Sequence, residues 1–181
     1  AYEGMIGKAE TTQALYRSNN GGLSFDQIEG AFPVINVLFI HPSDPDILLI
    51  GSDDGFYRST DAARSLTRVS EQWHFRDVVD IDSRDGNLMI AATSAGIVRS
   101  VDGGVTWDRS SETLSDHTVF RVQIARSDPS IIWATTSEGI YRSIDGGMNW
   151  NEALGDLPAT NLQALAVHPQ NPETVLVSTE T

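Results

Sequence analysis

The chain has 181 residues, 40% of them hydrophobic, a net charge of −13 and no cysteine. That balance argues against nucleic acid and anionic membrane surfaces as partners, by simple repulsion, and it removes disulfides and thiolate chemistry altogether. No apolar run approaches the roughly eighteen residues of a membrane helix, and the opening Ala1 to Glu10 has neither the basic start nor the apolar core of a secretory signal.

From the N-terminus the chain reads as short strands separated by tight turns, with no sustained 3.6-residue apolar period. Met5 to Lys8 opens the series, and Tyr16-Arg17-Ser18 follows as the first copy of an anchor. A polar connection, Gln27 to Pro33, leads to the apolar run Val37 to Ile40, closed by His41-Pro42. Ile47 to Ile50, a glycine (Gly55) and Tyr57-Arg58-Ser59 come next, then a connection from Ser70 to Asp77 and the run Val78 to Ile81. The order repeats through Leu88 to Ala91, Gly96, Arg99-Ser100, the connection Ser110 to Thr118, and Val122 to Ala125. It repeats once more through Ile131 to Ala134, Gly139, Arg142-Ser143, Gly155 to Asn161 and Leu165 to Pro169, and stops within Thr174 to Thr179. The anchors lie 41, 41 and 43 residues apart.

Four short strands in each period are the signature of an all-β propeller built of four-stranded antiparallel blades. We label the strands a to d, with a innermost: a before His-Pro, b the run such as Ile47 to Ile50, c the anchor and d after the box described next. The chain is then one propeller, or a piece of one, with repeats near 1–32, 33–75, 76–117, 118–160 and a partial 161–181. It holds three complete blades, one lacking strand a, and a surplus a–b pair. Closing four blades would leave one strand b over, so a larger ring of about six to eight blades, or assembly with another copy, is expected. Aligning strands a by the period matches Leu38, Val79, Val122 and Leu165, and sets Asp80 beside Gln123.

After each anchor comes a box: Ser18-Asn19-Asn20-Gly21-Gly22-Leu23-Ser24-Phe25, Ser59-Thr60-Asp61-Ala62-Ala63-Arg64-Ser65-Leu66, Ser100 to Trp107 (SVDGGVTW) and Ser143 to Trp150 (SIDGGMNW). Placed at a c–d hairpin, Asn20, Asp61, Asp102 and Asp145 can accept the turn's unpaired N–H groups. The glycines permit positive φ, and Phe25, Trp107 and Trp150 are expected to pack on the next repeat. The second copy has alanines for glycines and Leu66 for the aromatic, so its hairpin should be looser. One aspartate per turn does not supply the six to eight oxygens of a calcium site, so no metal or other cofactor is expected. Recurrence at a fixed period makes the boxes and the arginines Arg17, Arg58, Arg99 and Arg142 architectural.

The pattern Ser-x-Asp-x-Gly-x-Thr-Trp resembles the Asp-box, or bacterial neuraminidase repeat, found in sialidases, sortilin-type receptors, oligoxyloglucan glycosidases and the photosystem II assembly propeller. The resemblance implies a propeller whose boxes lie away from the ligand. Function then belongs to the non-periodic d–a connections and b–c turns on the opposite face. The richest segment holds Trp73, His74, Arg76 and Asp77; the next supplies Glu112, Asp116 and His117, with Arg121 close behind. Aromatics beside carboxylates and arginines suit a peptide, protein or glycan, although the plainer reading, in which Trp73 and Phe75 of an inter-blade loop plug the ring, is the favoured one for this segment.

A binding or scaffold module is therefore the leading reading, and a glycoside hydrolase of the sialidase or xyloglucanase type, or a fragment of one, is the alternative. A sialidase would call for an Arg-x-Pro segment, which is absent. Catalytic carboxylates would come from Asp77, Asp80, Glu112 or Asp116, which the sequence does not rank. A role like that of the photosystem assembly propeller is weakened by the acidic charge. Only Lys8 among the twelve basic residues is a lysine, which fits either a high-salt milieu or an ordinary acidic surface. The compartment is open, with an extracellular setting slightly favoured.

Overall fold

The computed structural model describes residues 13–32, 34–52, 55–69, 80–83, 85–153, 155–157 and 162–179. Blade 1 is the antiparallel pair β1 (Gln13–Arg17) and β2 (Asp26–Phe32). Blade 2 is β3 (Ile35–Ile40), β4 (Leu48–Ser52), β5 (Gly55–Ser59) and β6 (Thr67–Arg68), and blade 3 is β7 (Asp80–Ser83), β8 (Met89–Thr93), β9 (Gly96–Ser100) and β10 (Asp108–Arg109). Blade 4 is β11 (Val119–Ile124), β12 (Ile132–Thr136), β13 (Gly139–Ser143) and β14 (Asn151–Glu152); blade 5 is the pair β15 (Leu162–Val167) and β16 (Val175–Thr179). The sheets stack through their inner strands, β3 against β7, β7 against β11 and β11 against β15.

The core lies between blades. Leu49 and Phe56 of blade 2 meet Ile81, Met89 and Trp107 of blade 3. Ile90 and Ile97 of blade 3 meet Val122, Ile132 and Trp150 of blade 4, and Ile131, Trp133 and Ile140 meet Leu162 and Val167 of blade 5. Strands β4, β8 and β12 are buried along their whole length because a blade covers each face. That is why their sequences run apolar without alternation. Strand β16 has only blade 4 beside it among the described residues, and its burial alternates.

The tryptophans pack on the preceding blade, not on the following one. Trp107 stacks on Phe56 with ring centroids 4.5 Å apart and planes 13° from parallel, and Trp150 enters the core that blade 4 shares with blade 3.

Three other expectations are corrected. Ile81, not Val79, stands opposite the third residue of strand b, as Leu38, Val122 and Leu165 do in their blades. The a–b turn of blade 3 covers only residues 84–88, two fewer than 41–47 or 125–131, so Asp82 rather than Asp80 corresponds to Gln123. Gln27 to Phe32 is not a connection but part of the long strand β2, held by buried Phe32 and half-buried Ile28. The eroded second box is not loose: Ala62 and Ala63 adopt φ of 61° and 68°, as the glycines do elsewhere, and its hydrogen bonds are complete.

Candidate functional site

The box face is closed upon itself. In the third box Ser100 Oγ donates to Asp102 Oδ1 (2.8 Å) and accepts from Gly104 N–H (2.9 Å). Asp102 accepts from the N–H and hydroxyl of Thr106 at 2.9 and 2.6 Å. Ser143, Asp145 and Asn149 repeat the scheme in blade 4 and Ser59, Asp61 and Ser65 in blade 2; in blade 1 Ser18, Asn20 and Ser24 do the same except that Asn20 Nδ2 donates to Ser24 Oγ. Hydrogen bonds from Ser65 lower the Asp61 carboxyl to about 2, and those from Asn149 do the same for Asp145. Partial burial pushes Asp102 upward, but the bonds from Thr106, Ser100 and Val105 outweigh it and leave the group below its ordinary value.

Each turn is also tied to its neighbours. Ala62, Gly103 and Gly146 donate their N–H groups to Asp46, Asn87 and Ser130 in the a–b turn of the same blade. From the preceding blade, Arg58 Nε donates to Gly103 O (3.1 Å) and Arg99 Nε to Gly146 O (2.7 Å). Every acidic box oxygen and two of the anchor arginines thus serve the stack.

The inner strands contain a second set of bridges. Asp80 Oδ1 accepts from Ile81 N–H and Oδ2 from Val122 N–H, at 3.1 and 3.0 Å. Asp82 accepts from Ser83 and Ile124 at 2.8 and 2.7 Å. Gln123 Oε1 accepts from Val167 N–H, one blade further on, at 2.9 Å. Burial raises both aspartate carboxyls, the N–H donors on β11 hold part of the rise back, and the Asp80 charge adds to that of Asp82. Both oxygens of Asp80 are therefore engaged by backbone, which positions it as a link between blades 3 and 4.

On the face opposite the boxes, the connection from blade 3 to blade 4 is described in full. Ser111 caps a single 3-10 turn, Glu112–Leu114, by accepting from Thr113 N–H at 3.2 Å, and Leu114 is fully buried beneath it. The turn delivers exposed Asp116 and half-buried His117. His117 Nε2 lies 3.3 Å from Glu138 Oε2 and 3.2 Å from the Tyr141 hydroxyl, with its ring edge-on to Tyr141 at 5.4 Å. A proton on Nε2 is donated to Glu138, whereas a lone pair there accepts from Tyr141; Nδ1 is buried with no hydrogen-bond partner among the described residues. Burial, helped by the carboxylates of Glu152 and Glu138, raises the Tyr141 hydroxyl, so it stays protonated at neutral pH. Arg121, exposed on β11, turns its Nη1 to Phe120 O (2.8 Å), and its charge reaches Asp80.

Of the residues singled out from sequence, Asp116 and His117 stand together in this connection, and Arg121 lies apart on the inner strand β11, its charge near Asp80. Trp73, His74, Arg76 and Asp77 lie outside the described residues. Glu138 and Tyr141 were missed. Glu138 stands in a b–c turn where blade 3 has Ala95, a difference visible by comparing turns, whereas Tyr141 was hidden in an anchor read as purely architectural. A separate cleft of about 590 Å³ between blades 1 and 2 is lined by Arg17, Asp26, Glu29, Asp46 and Arg64. There Arg17 Nε bonds Asn19 instead of a carbonyl of the next box.

No protein-family model and no curated protein matches the chain. Solved structures do. An ancestral GH74 enzyme superposes on 86% of this chain and 23% of its own length, with TM-score 0.71 and 22% identity. YCF48 bound to D1 peptide superposes on 91% of this chain and 54% of its own, at 0.62 and 18%. A chain of the outer coat vertex of COPII on membranes gives 92% and 50%, at 0.60 and 10%. The fold is that of a β-propeller. The propeller spans about a quarter to a half of these structures, and among its described residues the blades do not close into a ring.

Proposed function

We propose that this propeller is a binding module of the Asp-box kind, presenting the face of d–a connections and b–c turns to a protein or peptide. The observation that carries the reading is the division of its polar groups. Box carboxylates, Arg58, Arg99, Asp80, Asp82 and Gln123 all bond within the stack. The non-periodic His117 and Glu138 instead pair in the d–a connection and b–c turn of the opposite face, and Asp116, Glu138 and the inner-strand Arg121 are exposed and of mixed sign. Mixed charge around a half-buried ring recognises polar peptide groups by hydrogen bonding and charge. That YCF48 is solved with a D1 peptide and that COPII is a coat support a protein or peptide partner ahead of a sugar.

The test is selection of displayed peptides against the chain, followed by measurement of the selected peptide on variants. Arg121→Ala and Glu138→Ala are each expected to weaken binding about tenfold, roughly 1.4 kcal/mol, while Val105→Ser on the box face leaves it unchanged. Binding lost in Val105→Ser alone would place the interaction on the wrong face. Turnover of aryl glycosides that disappears in Asp80→Asn would replace the reading with the hydrolase.

A further inference from the structure

We propose that the cleft between blades 3 and 4 on the box face is a docking site for one acidic side chain of a partner protein, its carboxylate held by Arg99 and its apolar neighbours by Val101 and Met148. The cleft encloses about 170 Å³, and its walls include Arg99, Val101, Asp108 and Arg109 of blade 3 and Met148 of blade 4. That is well below the roughly 300–1,000 Å³ of a pocket that holds a whole small ligand, so it suits a single side chain. Residues 85–153, which build the whole cleft, are described without interruption.

The anchor arginines differ in what the following blade offers them. Arg17 lies 3.6 Å from Asp46, and Arg142 pairs with Glu173. Asp46 and Glu173 hold the same place, next to the end of an a–b turn. The bonds that close those turns, His41 N–H to Ile47 O and His168 N–H to Thr174 O, fix the correspondence. In blade 4 the turn is closed by Ala125 N–H to Ile131 O, which puts Ser130 at that place. Ser130 gives its hydroxyl to Asp128 at 2.7 Å. Arg99 therefore meets a neutral residue where Arg17 and Arg142 meet a carboxylate. Its Nε donates to Gly146 O, and among the described residues it makes no ion pair. A guanidinium fork is built for a carboxylate, and at this junction the fold does not supply one.

Charge and apolar surface point to the same occupant. The cleft carries two guanidinium groups, Arg99 and Arg109, against the single carboxylate of Asp108, in a chain of net charge −13. Arg109 Nη1 lies 3.5 Å from Glu112, which leaves Arg99 as the cation that sets the sign. Val101 and Met148 are exposed, as are Val105 and Ile144 in the same two boxes, and neighbouring exposed apolar side chains mark an interaction surface. Arg58 also meets a neutral residue, Asn87, at the place of Ser130, but Thr60 stands where Val101 does and the apolar wall is missing. The acidic surface as a whole repels a run of acidic residues. The fitting segment is therefore one glutamate or aspartate between apolar residues.

The test is an NMR titration of the whole 181-residue chain with acetyl-Leu-Glu-Leu-amide and acetyl-Leu-Gln-Leu-amide. The glutamate peptide should shift the Gly146 amide and the Met148 methyl, and bind about threefold tighter than the glutamine peptide. Arg99→Gln removes the charge and should abolish the difference between the two peptides. Ser130→Asp rebuilds the arrangement of Asp46, so it should occupy the Arg99 fork from within and lower affinity for the glutamate peptide about threefold. Met148→Ser alters an exposed side chain, leaves folding intact and should weaken both peptides about equally. Equal binding of the two peptides by the parent chain overturns the proposal, as does a preference for glutamate that persists in Arg99→Gln. Shifts centred on His117 and Glu138, or tighter binding of inorganic phosphate than of the glutamate peptide, overturn it too. The peptide reading of the opposite face has its own variants, Arg121→Ala and Glu138→Ala, and survives or fails separately.

Discussion

Ala62 and Ala63 show how firmly the box geometry is imposed. Nothing in their chemistry favours φ near +60°, and a side chain there costs roughly 1 kcal/mol or more. Yet Ser59 and Asp61 bind the turn as their counterparts do at Gly103–Gly104. The hydrogen bonds from Ser65 and Ala63 outweigh the local strain. Ala62→Gly should therefore stabilise the protein by about 0.5–1 kcal/mol, raising the Tm by about 1–4 °C in a chain of this size. A calorimetric Tm that falls would show the methyl group to be a packing element. The reverse change at Gly104 is a different matter, since an added Cβ would lie 2.9 Å from both methyls of Leu49. That glycine is required by the neighbouring blade as much as by its own φ of 77°. The aspartate, the serine and the turn were legible in the sequence, but tolerance of alanine at 62 and 63 was not. It depends on what the preceding blade places against the turn.

At the level of strands, the bond from β7 to β11 has a pH signature opposite to that of the boxes. Asp61 and Asp145, lowered to about 2 in the folded chain from 3.8, add stability above pH 4 that is lost as pH falls toward 2. Asp80 and Asp82 are raised, first by burial. Their contribution is fullest below the unfolded value of 3.8 and declines as pH rises through the folded one. Asp82→Asn keeps an oxygen for the Ile124 N–H without the cost of ionisation. Urea unfolding should find this variant more stable than the parent at pH 7, with the difference vanishing below about pH 4. A variant weaker than the parent at pH 7 would mean that the charge itself strengthens the bond to β11. The role of Asp82 was not visible in the sequence because a two-residue shortening of the 84–88 turn shifts strand β7 against the repeat. Period counting follows anchors, and it cannot see where a turn absorbs an insertion or deletion.

For the molecule as a whole, the net charge of −13 means self-repulsion in the folded state, screened only beyond the Debye length of about 10 Å at 0.1 M salt. The Tm is expected to rise as sodium chloride is raised from about 0.05 M to about 1 M. A chain still folded at the low end carries an ordinary acidic surface; one that unfolds there is built for high salt. The exposed ends of the stack belong to this scale too. Leu38, Ile40 and Leu176 are core-type residues that stand exposed at the two ends of the stack among the described residues.

By itself the sequence determined most of the strands, the four box turns and the propeller, because each is a local rule repeated at a period: apolar residues for strands, serine and aspartate for unpaired turn amides, glycine for positive φ. The exceptions are β2, read as a connection, and the strand read at Met5 to Lys8, outside the described residues. It also directed attention to the face opposite the boxes. Tertiary structure alone decided which blade each tryptophan leans on, that Asp82 and Gln123 hold equivalent places, and that His117 meets Glu138 and Tyr141. Those relations join residues 21 to 51 positions apart. They are set by the angle at which one blade stacks on the next, and no local pattern encodes that angle.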